Sequence, residues 1–464
     1  MRRKSGIRVL IVCLAGFTGS LAHADLYTAN AAYQAKDFPR AFELYRELAE
    51  LGHAESQETL AIMYVQGEGV KRDNTLGYAW AALALEQRPS EMAQSIYEQL
   101  NPHMSESARK TAEELRARFG KDALQKSILG IGKILVASKK VWCKMKAPAN
   151  PDNYFPPGPA EKGLSGFAII DARVFSDGRD HDPRAVRLIP AQPFDGPAML
   201  LSMNSLFSPQ IGNGSAEPCT IRFKVKFTAR PGPTSKTVEQ DLNEIKKRAV
   251  SGNPDSQLVY GLLLQNADGP PSGEVPLDWI IKAAQAGNSF AQYVVGHAHL
   301  NSFMFEANEA NEAKGIFWLD KAARAGDNDA QLVLANYYMR DASNFVNVRK
   351  AVELLGRVVE GNRPEARFYL SALLASSPDA EVRNPKRALE IIGKDRGIYE
   401  LNPIAWEIRA AAHANLGEFD EAGDLEKRAI RMAKAFHWNT KPQEARLAAY
   451  QEKKSWTGDL LAFY

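Results

Sequence analysis

The phrase Ala49-Glu-Leu-Gly52-His53-Ala-Glu-Ser-Gln57-Glu-Thr-Leu60-Ala61 decides how the chain reads. It returns as Ala249-x-x-Gly252-Asn253-Pro254-x-Ser-Gln257 and as Ala284-x-Ala286-Gly287-Asn288-x-x-Ala291-Gln292. A further copy is Ala323-x-Ala325-Gly326-Asp327-x-x-Ala330-Gln331, and Gly361-Asn362-x-x-x-Ala366-Arg367 is a fainter one. From Gly252 onward the glycines recur at intervals of 35, 39 and 35 residues. Self-similarity at that period marks a stack of helical units, none of which buries its apolar face alone. Each glycine follows an apolar helical run, where a residue must turn left-handed to end the helix. The Asn or Asp after it is a ready cap for the next helix, and Pro254 suits a first helical position. The alanines let neighbouring helices approach closely.

These units resemble Sel-one-like repeats, short relatives of the tetratricopeptide repeat. The first copy also carries Gly67-x-Gly69, Asp73 and Trp80 in that family's order. Trp80, Trp279 and Trp318 take similar places in successive units and are expected as interhelical core. Between Pro89 and Leu129 the repeat fades while the helical pattern persists, broken at Asn101-Pro102 and restarted by Ser105. The C-terminal end matches a tetratricopeptide unit better: Asn402-Pro403-x-x-Trp406, then Asn415-Leu-Gly-Glu-Phe419-Asp-Glu-Ala422. Phe419 and Ala422 are expected to face inward. Residues 446–456 read as a capping helix over the last apolar face.

Residues 163–227 differ from their flanks. Gly166-Phe-Ala-Ile-Ile-Asp-Ala-Arg-Val-Phe175 is rich in β-branched and apolar residues, and Asp177-Gly178 supplies a hairpin turn. A second short run, 185–189, stops at Pro190, and a helix opens at Phe194-Asp195. The last strand alternates: Ile221, Phe223, Val225 and Phe227 against Arg222, Lys224 and Lys226. Tyr154-x-Pro156, Ala160, Gly166, Asp177-Gly178, Val186, Phe194-Asp195, Ala198 and Phe207-x-Pro209 give this segment a resemblance to the TonB C-terminal domain, over about a fifth of the chain. That family's usual Arg before the Phe-x-Pro element is absent, for Leu206 stands there. The resemblance implies a small α+β domain with an antiparallel sheet whose last strand lies at or near an edge. Residues 147–159 and 229–235 read as linkers on either side.

The expected fold is therefore mainly α: an α-helical solenoid of Sel-one-like and tetratricopeptide repeats, interrupted by a TonB-C-like α+β domain. The divisions are 1–24 signal peptide, 25–129 N-terminal helical arm, 130–230 α+β domain and 231–235 linker. Then come 236–400, Sel-one-like repeats, and 401–464, a tetratricopeptide-like unit with its cap.

The chain has 464 residues, 45% of them apolar and 24% charged, which excludes global disorder. Its net charge of +3 is too small to argue for nucleic acid. Arg2, Arg3, Lys4 and Arg8 precede a short apolar run and Ala22-His23-Ala24, the pattern of a secretory signal cut between Ala24 and Asp25. A bacterial periplasm follows as the expected location, with no membrane span after cleavage. Cleavage leaves Cys143 and Cys219, an even pair that an oxidising compartment favours as a disulfide.

Motifs for chemistry are sparse. Asp177-Gly-Arg-Asp180-His181-Asp182 lacks ligand spacing and reads as a solvated turn. His297 and His299 fall on different helix faces. Gly212-x-Gly214 has no phosphate-binding helix signature behind it. No cofactor or metal is expected, and no catalytic residue. Two readings remain. One is a non-enzymatic periplasmic scaffold or adaptor for protein partners, with Arg222, Lys224, Val225 and Lys226 as the sheet's binding strand. The other, implied by the TonB resemblance, is an energy transducer contacting outer-membrane receptors, although the long Pro-rich spacer of such proteins is missing. The basic residues of the last strand serve either an acidic peptide partner or protection of the edge.

Overall fold

The computed structural model describes residues 24–130, 144–147, 149–150, 166–174, 178–180, 184–189, 195–208, 210–212, 215–217, 219–227, 237–266, 274–300, 309–340, 343–360, 363–393, 402–436 and 438–461. The N-terminal arm is helical: α1 Leu26–Gln34, α2 Phe38–Glu50, α3 Ala54–Gln66, α4 Asn74–Gln87, α5 Glu91–Leu100, α6 Glu106–Phe119 and α7 Lys121–Leu124. The last of these runs into a π-helical turn, Gln125–Leu129.

The middle segment contains β1 Lys144–Ala147, β2 Gly166–Val174, β3 Arg184–Ile189, helix α8 Asp195–Asn204, β4 Leu206–Ser208, β5 Gln210–Gly212, β6 Ser215–Glu217 and β7 Cys219–Phe227. Its main sheet is antiparallel with the order β3-β2-β7. Ala168 lies opposite Val225, and Ile170 opposite Phe223. Ile170, Val225, Ala198 and Leu201 form a small core that covers one face of this sheet with α8. Two smaller pairings, β1 with β4 and β5 with β6, were not legible as strands, since three or four residues carry no usable alternation. The turn after β2 is also more enclosed than its composition suggests. Asp180 is fully buried, bridges back to Val174, and accepts a hydrogen bond from the Ser202 hydroxyl of α8. The expectation of a solvated turn fails there, because α8 folds over it. Asp177, His181 and Asp182 lie outside the described residues, as does Cys143, and with it the Cys143–Cys219 pairing.

The C-terminal arm comprises α9 Thr237–Val250, α10 Pro254–Asn266, α11 Pro276–Gln285, α12 Ser289–Leu300, α13 Glu309–Arg324 and α14 Asn328–Tyr338. It continues with α15 Phe345–Glu360, α16 Pro364–Ser376, α17 Pro385–Ile392, α18 Pro403–Asn415, α19 Phe419–Ala435 and α20 Lys441–Gln451.

The recurring phrase folds the same way four times. Gly52, Gly252, Gly287 and Gly326 have φ of 85°, 94°, 85° and 86°, which only glycine adopts without strain. The amide after each one donates back to the carbonyl of the last helical turn: His53 to Leu48, Asn253 to Arg248, Asn288 to Ala283 and Asp327 to Ala322. The same residue's side chain then caps the following helix. Asn288 Oδ1 accepts from Ala291 N at 2.9 Å and Asp327 Oδ1 from Ala330 N at 2.8 Å. In the first copy His53 Nδ1 takes the N–H of Ser56, and burial holds its imidazole down at about 4, neutral as an acceptor must be. The glutamine closes the unit. Gln57, Gln257, Gln292 and Gln331 each donate to the alanine carbonyl eight residues back, Ala49, Ala249, Ala284 and Ala323, at 3.0, 3.2, 3.1 and 2.9 Å. The copy at Gly361 and Asn362 lies outside the described residues.

The two arms form one stack. Leu26 N donates to Ala286 O at 3.0 Å, and Gln285 Nε2 to Leu51 O at 2.9 Å. Trp318 Nε1 reaches Ile128 O at 2.8 Å. Leu51, Leu124, Ile128 and Leu129 share a core with Leu258, Leu277, Ile280 and Trp318. The sheet-bearing segment thus leaves and rejoins a helical stack that closes behind it. Met203 of α8 belongs to the buried cluster of the C-terminal repeats, with Ala335, Leu355 and Tyr369.

Trp80 and Trp318 are core, as expected. Trp279 is only half-buried, its indole N–H on Glu274 at 3.2 Å and Lys282 over its ring at 4.4 Å. Ala422 is buried and Phe419 packs beside it with Tyr450.

Candidate partner-binding surfaces

The sheet edge comes first. β7 is nine residues long and pairs only with β2 among the described residues. Its other flank has no strand partner among the described residues, and a free flank is the feature by which edges accept a further strand. Val225 is 4% exposed and packs under α8, so its side chain serves the core and only its backbone is available to a partner. Arg222, Lys224 and Lys226 take the alternate register positions, opposite Asp171, Ile169 and Phe167 of β2.

A second feature was not foreseen. Where the repeat phrase fades, α4, α5 and α6 leave a groove of about 540 Å³. Tyr78 and Tyr97 stack along it with ring centroids 5.0 Å apart. Arg109 lies on its wall, donating to Asn101 Oδ1 at 2.8 Å and to Asn101 O at 2.9 Å. That bond caps the end of α5, so the arginine is held in place. Arg116 pairs with Glu86 on the same wall, while Glu113 stays exposed. Burial pushes the Tyr78 hydroxyl above its ordinary range, and its bond to Tyr97 adds to this, so the Tyr78 phenol stays neutral at physiological pH. The signal available in sequence was negative: the Ala-x-x-Gly-x-x-x-x-Gln phrase, which draws helices together, is missing from 89–129.

A cluster of deeply buried charges lies under the cap. Arg446 of α20 contacts Glu407 of α18 and, at 3.2 Å, Glu426 of α19. Gln443 adds a bond to Glu407 at 3.0 Å, and Trp456 lies against the guanidinium at 5.1 Å. The expected apolar closing face is thus built partly from charge. Burial pushes Glu426 up to about 8, with Glu407 beside it adding to the effect, and burial raises Glu407 as well. All three side chains are in the core, so they join three helices rather than meet a substrate.

His297 and His299 are both buried in α12. Among the described residues no three His, Cys, Asp or Glu side chains gather closely enough to hold a metal ion. Among those residues, too, no helix is long and apolar enough to cross a membrane.

Solved structures to which the chain is similar at low identity include the following two. One is c5321, a protective antigen present in uropathogenic Escherichia coli strains and displaying an SLR fold. It is 17% identical over 93% of this chain and 87% of that one, with a TM-score of 0.30. The other is a Sel1 repeat protein from Oxalobacter formigenes, 13% identical over 80% of this chain and 99% of that one, with a TM-score of 0.27. No curated protein matches the chain. The copy around Gly252 has the turn geometry of the others but falls outside the stretches that the repeat family recognises. Those stretches are residues 32–53, 54–88 and 289–327, and they are Sel1 repeats, units that generally serve as protein–protein interaction scaffolds.

Proposed function

We propose that this protein is a non-catalytic scaffold of the bacterial periplasm, whose repeats hold one protein partner while the sheet adds a second contact along β7. The observation that carries the reading is β7 itself: nine residues, hydrogen-bonded to β2 on one side and open on the other among the described residues. The α4–α6 groove, with aromatic floor and anchored arginines, suits side chains of an extended peptide. Export is supported by the A-x-A site, and Asp25 beside the expected cut caps α1 by accepting from Thr28 N at 2.9 Å. A Cys143–Cys219 disulfide would tie the entry of the sheet segment to its last strand, worth about 2–4 kcal/mol.

A second reading is a TonB-type energy transducer. It is supported by the order β2, β3, α8, β7 with β7 at the edge, the arrangement that the resemblance to TonB C-terminal domains implies. The two readings separate at the N-terminus, since a transducer keeps its membrane anchor. N-terminal sequencing of periplasmic protein should start at Asp25; residues before it would favour the transducer. For the scaffold, partners are captured from periplasmic extract and the complex is followed by amide hydrogen exchange. New protection should fall on residues 219–227. Protection confined to the repeats would remove the sheet edge from the proposal.

A further inference from the structure

The last helical hairpin carries a basic face that neither the sheet edge nor the groove uses. Trp406 of α18 is half-buried, and the guanidinium of Arg428 on α19 lies 3.5 Å from its ring centroid. Arg409 approaches the same ring at 4.7 Å but is committed elsewhere, donating to Ile392 O at 3.2 Å and Ala405 O at 3.3 Å. Arg428 makes no ion pair or hydrogen bond with a described residue. Its helical neighbour Asp424 is taken by Lys427 at 2.9 Å. Arg431, one turn further and also exposed, makes no ion pair with a described residue either, and Lys434 is bound to Glu444 at 3.2 Å. Contact with an indole face restricts a guanidinium before it binds, so less freedom is lost when a carboxylate takes its N–H groups.

We infer that this face, centred on Arg428 and Arg431, binds an acidic segment of a protein partner. It presents two carboxylate sites one helical turn apart, about 5–6 Å at the Cβ atoms. The inference rests on the scaffold reading only in taking the partner to be a protein. The other anionic surfaces fit less well. A lipid surface needs an apolar face to bury, and none of the exposed large hydrophobic residues lies on α18 or α19. A nucleic-acid base needs an open aromatic face, and Arg428 already covers the indole.

The test uses the full chain and fluorescein-labelled octaglutamate, read by anisotropy at low salt. The unmodified protein should bind, and added salt should weaken binding. R428Q/R431Q should weaken it at least about tenfold. K427Q/K434Q removes the same charge from lysines already paired nearby and should leave binding within about twofold. Equal loss in both variants would mean that net charge alone is responsible, and the proposal falls. It falls too if octaglutamate does not bind, or if vesicles of phosphatidylglycerol bind while octaglutamate does not. R222Q/K224Q/K226Q on β7 reads the sheet edge separately and should weaken octaglutamate binding less than R428Q/R431Q does. If that variant alone abolishes it, the acidic ligand belongs to the sheet edge, and the hairpin proposal is overturned while the scaffold reading stands.

Discussion

Replacing Arg446 by methionine should loosen the C-terminal cap, and the loss should grow with pH. Arg446, Glu407 and Glu426 have side chains 3%, 2% and 0% exposed, so water cannot stand in for the lost guanidinium. Removing one member of a buried charge cluster costs about 3–5 kcal/mol, because the charge left behind is uncompensated. The pH dependence follows from Glu426. Its folded value of about 8 lies above the ordinary carboxyl value of 4.5, so the folded state holds a proton that the unfolded chain has released. That contribution is complete below the unfolded value and is lost as pH rises through about 8. For one group the span is at most on the order of 5 kcal/mol.

Without Arg446 both carboxyls should bind protons more tightly still. The R446M defect should therefore be mild at pH 5, where both can be neutral, and near its full size at pH 8.5. Urea unfolding followed by circular dichroism, with hydrogen exchange of α18, α19 and α20, measures this at each pH. The triple change E407M/E426L/R446M removes every charge at once and should regain most of the lost stability. A defect independent of pH, or a triple variant as weak as R446M, would show that packing rather than charge holds the cap.

Other expected outcomes use the repeat geometry. Gly326→Ala meets open space and suffers only the left-handed backbone, about 1 kcal/mol, whereas Gly287→Ala also drives its Cβ to 2.6 Å from the Asp25 Cα and should cost clearly more. Thermal melts of the two variants compare them directly; equal losses would show that the Asp25 contact yields freely. Gln292→Ala removes the bond to Ala284 O and should lose about 1–2 kcal/mol, measured by urea unfolding. Trp318→Phe keeps the ring but drops the bond to Ile128 O, so amide exchange should quicken in residues 121–129 before it does in α19; uniform exchange would count against local undocking. Mass spectrometry of unreduced, alkylated protein should show no free thiol, and two alkylated cysteines would exclude the Cys143–Cys219 bridge.

The turn phrase was legible because each of its letters acts within nine residues. Gly52 ends a helix, His53 begins the next, and a reader needs only local rules to place them. Gln57 stood in the same phrase, yet its bond to Ala49 O needs two helices already packed. The groove at Tyr78 and Tyr97 was not legible, since an absent phrase does not say where the gap opens. Glu407 sits in an alanine-rich helix and reads as an ordinary surface charge. Its burial depends on Arg446, 39 residues on, so no local pattern could reveal it.

The same contrast explains how a sheet came to sit inside a helical stack. A solenoid is held by contacts between neighbouring units, and each unit needs its neighbours more than it needs an unbroken chain. Here the neighbours of α7 and its π-helical turn are α11 and α13, beyond the sheet segment. Loop-closure entropy grows only slowly with length, so a long insertion costs little once both ends are fixed side by side. The ends are fixed by Gln285 on Leu51 O and Trp318 on Ile128 O. Excising residues 131–236 and joining the ends with a Gly/Ser linker should therefore leave a folded, cooperative stack, with α1 still bonded to Ala286. Circular dichroism and protection of the Leu26 amide report on that stack. If the excised chain melts in two steps, with the N-terminal arm released first, then Met203 and its neighbours are needed to hold the arms together, and the sheet is part of the frame rather than a passenger on it.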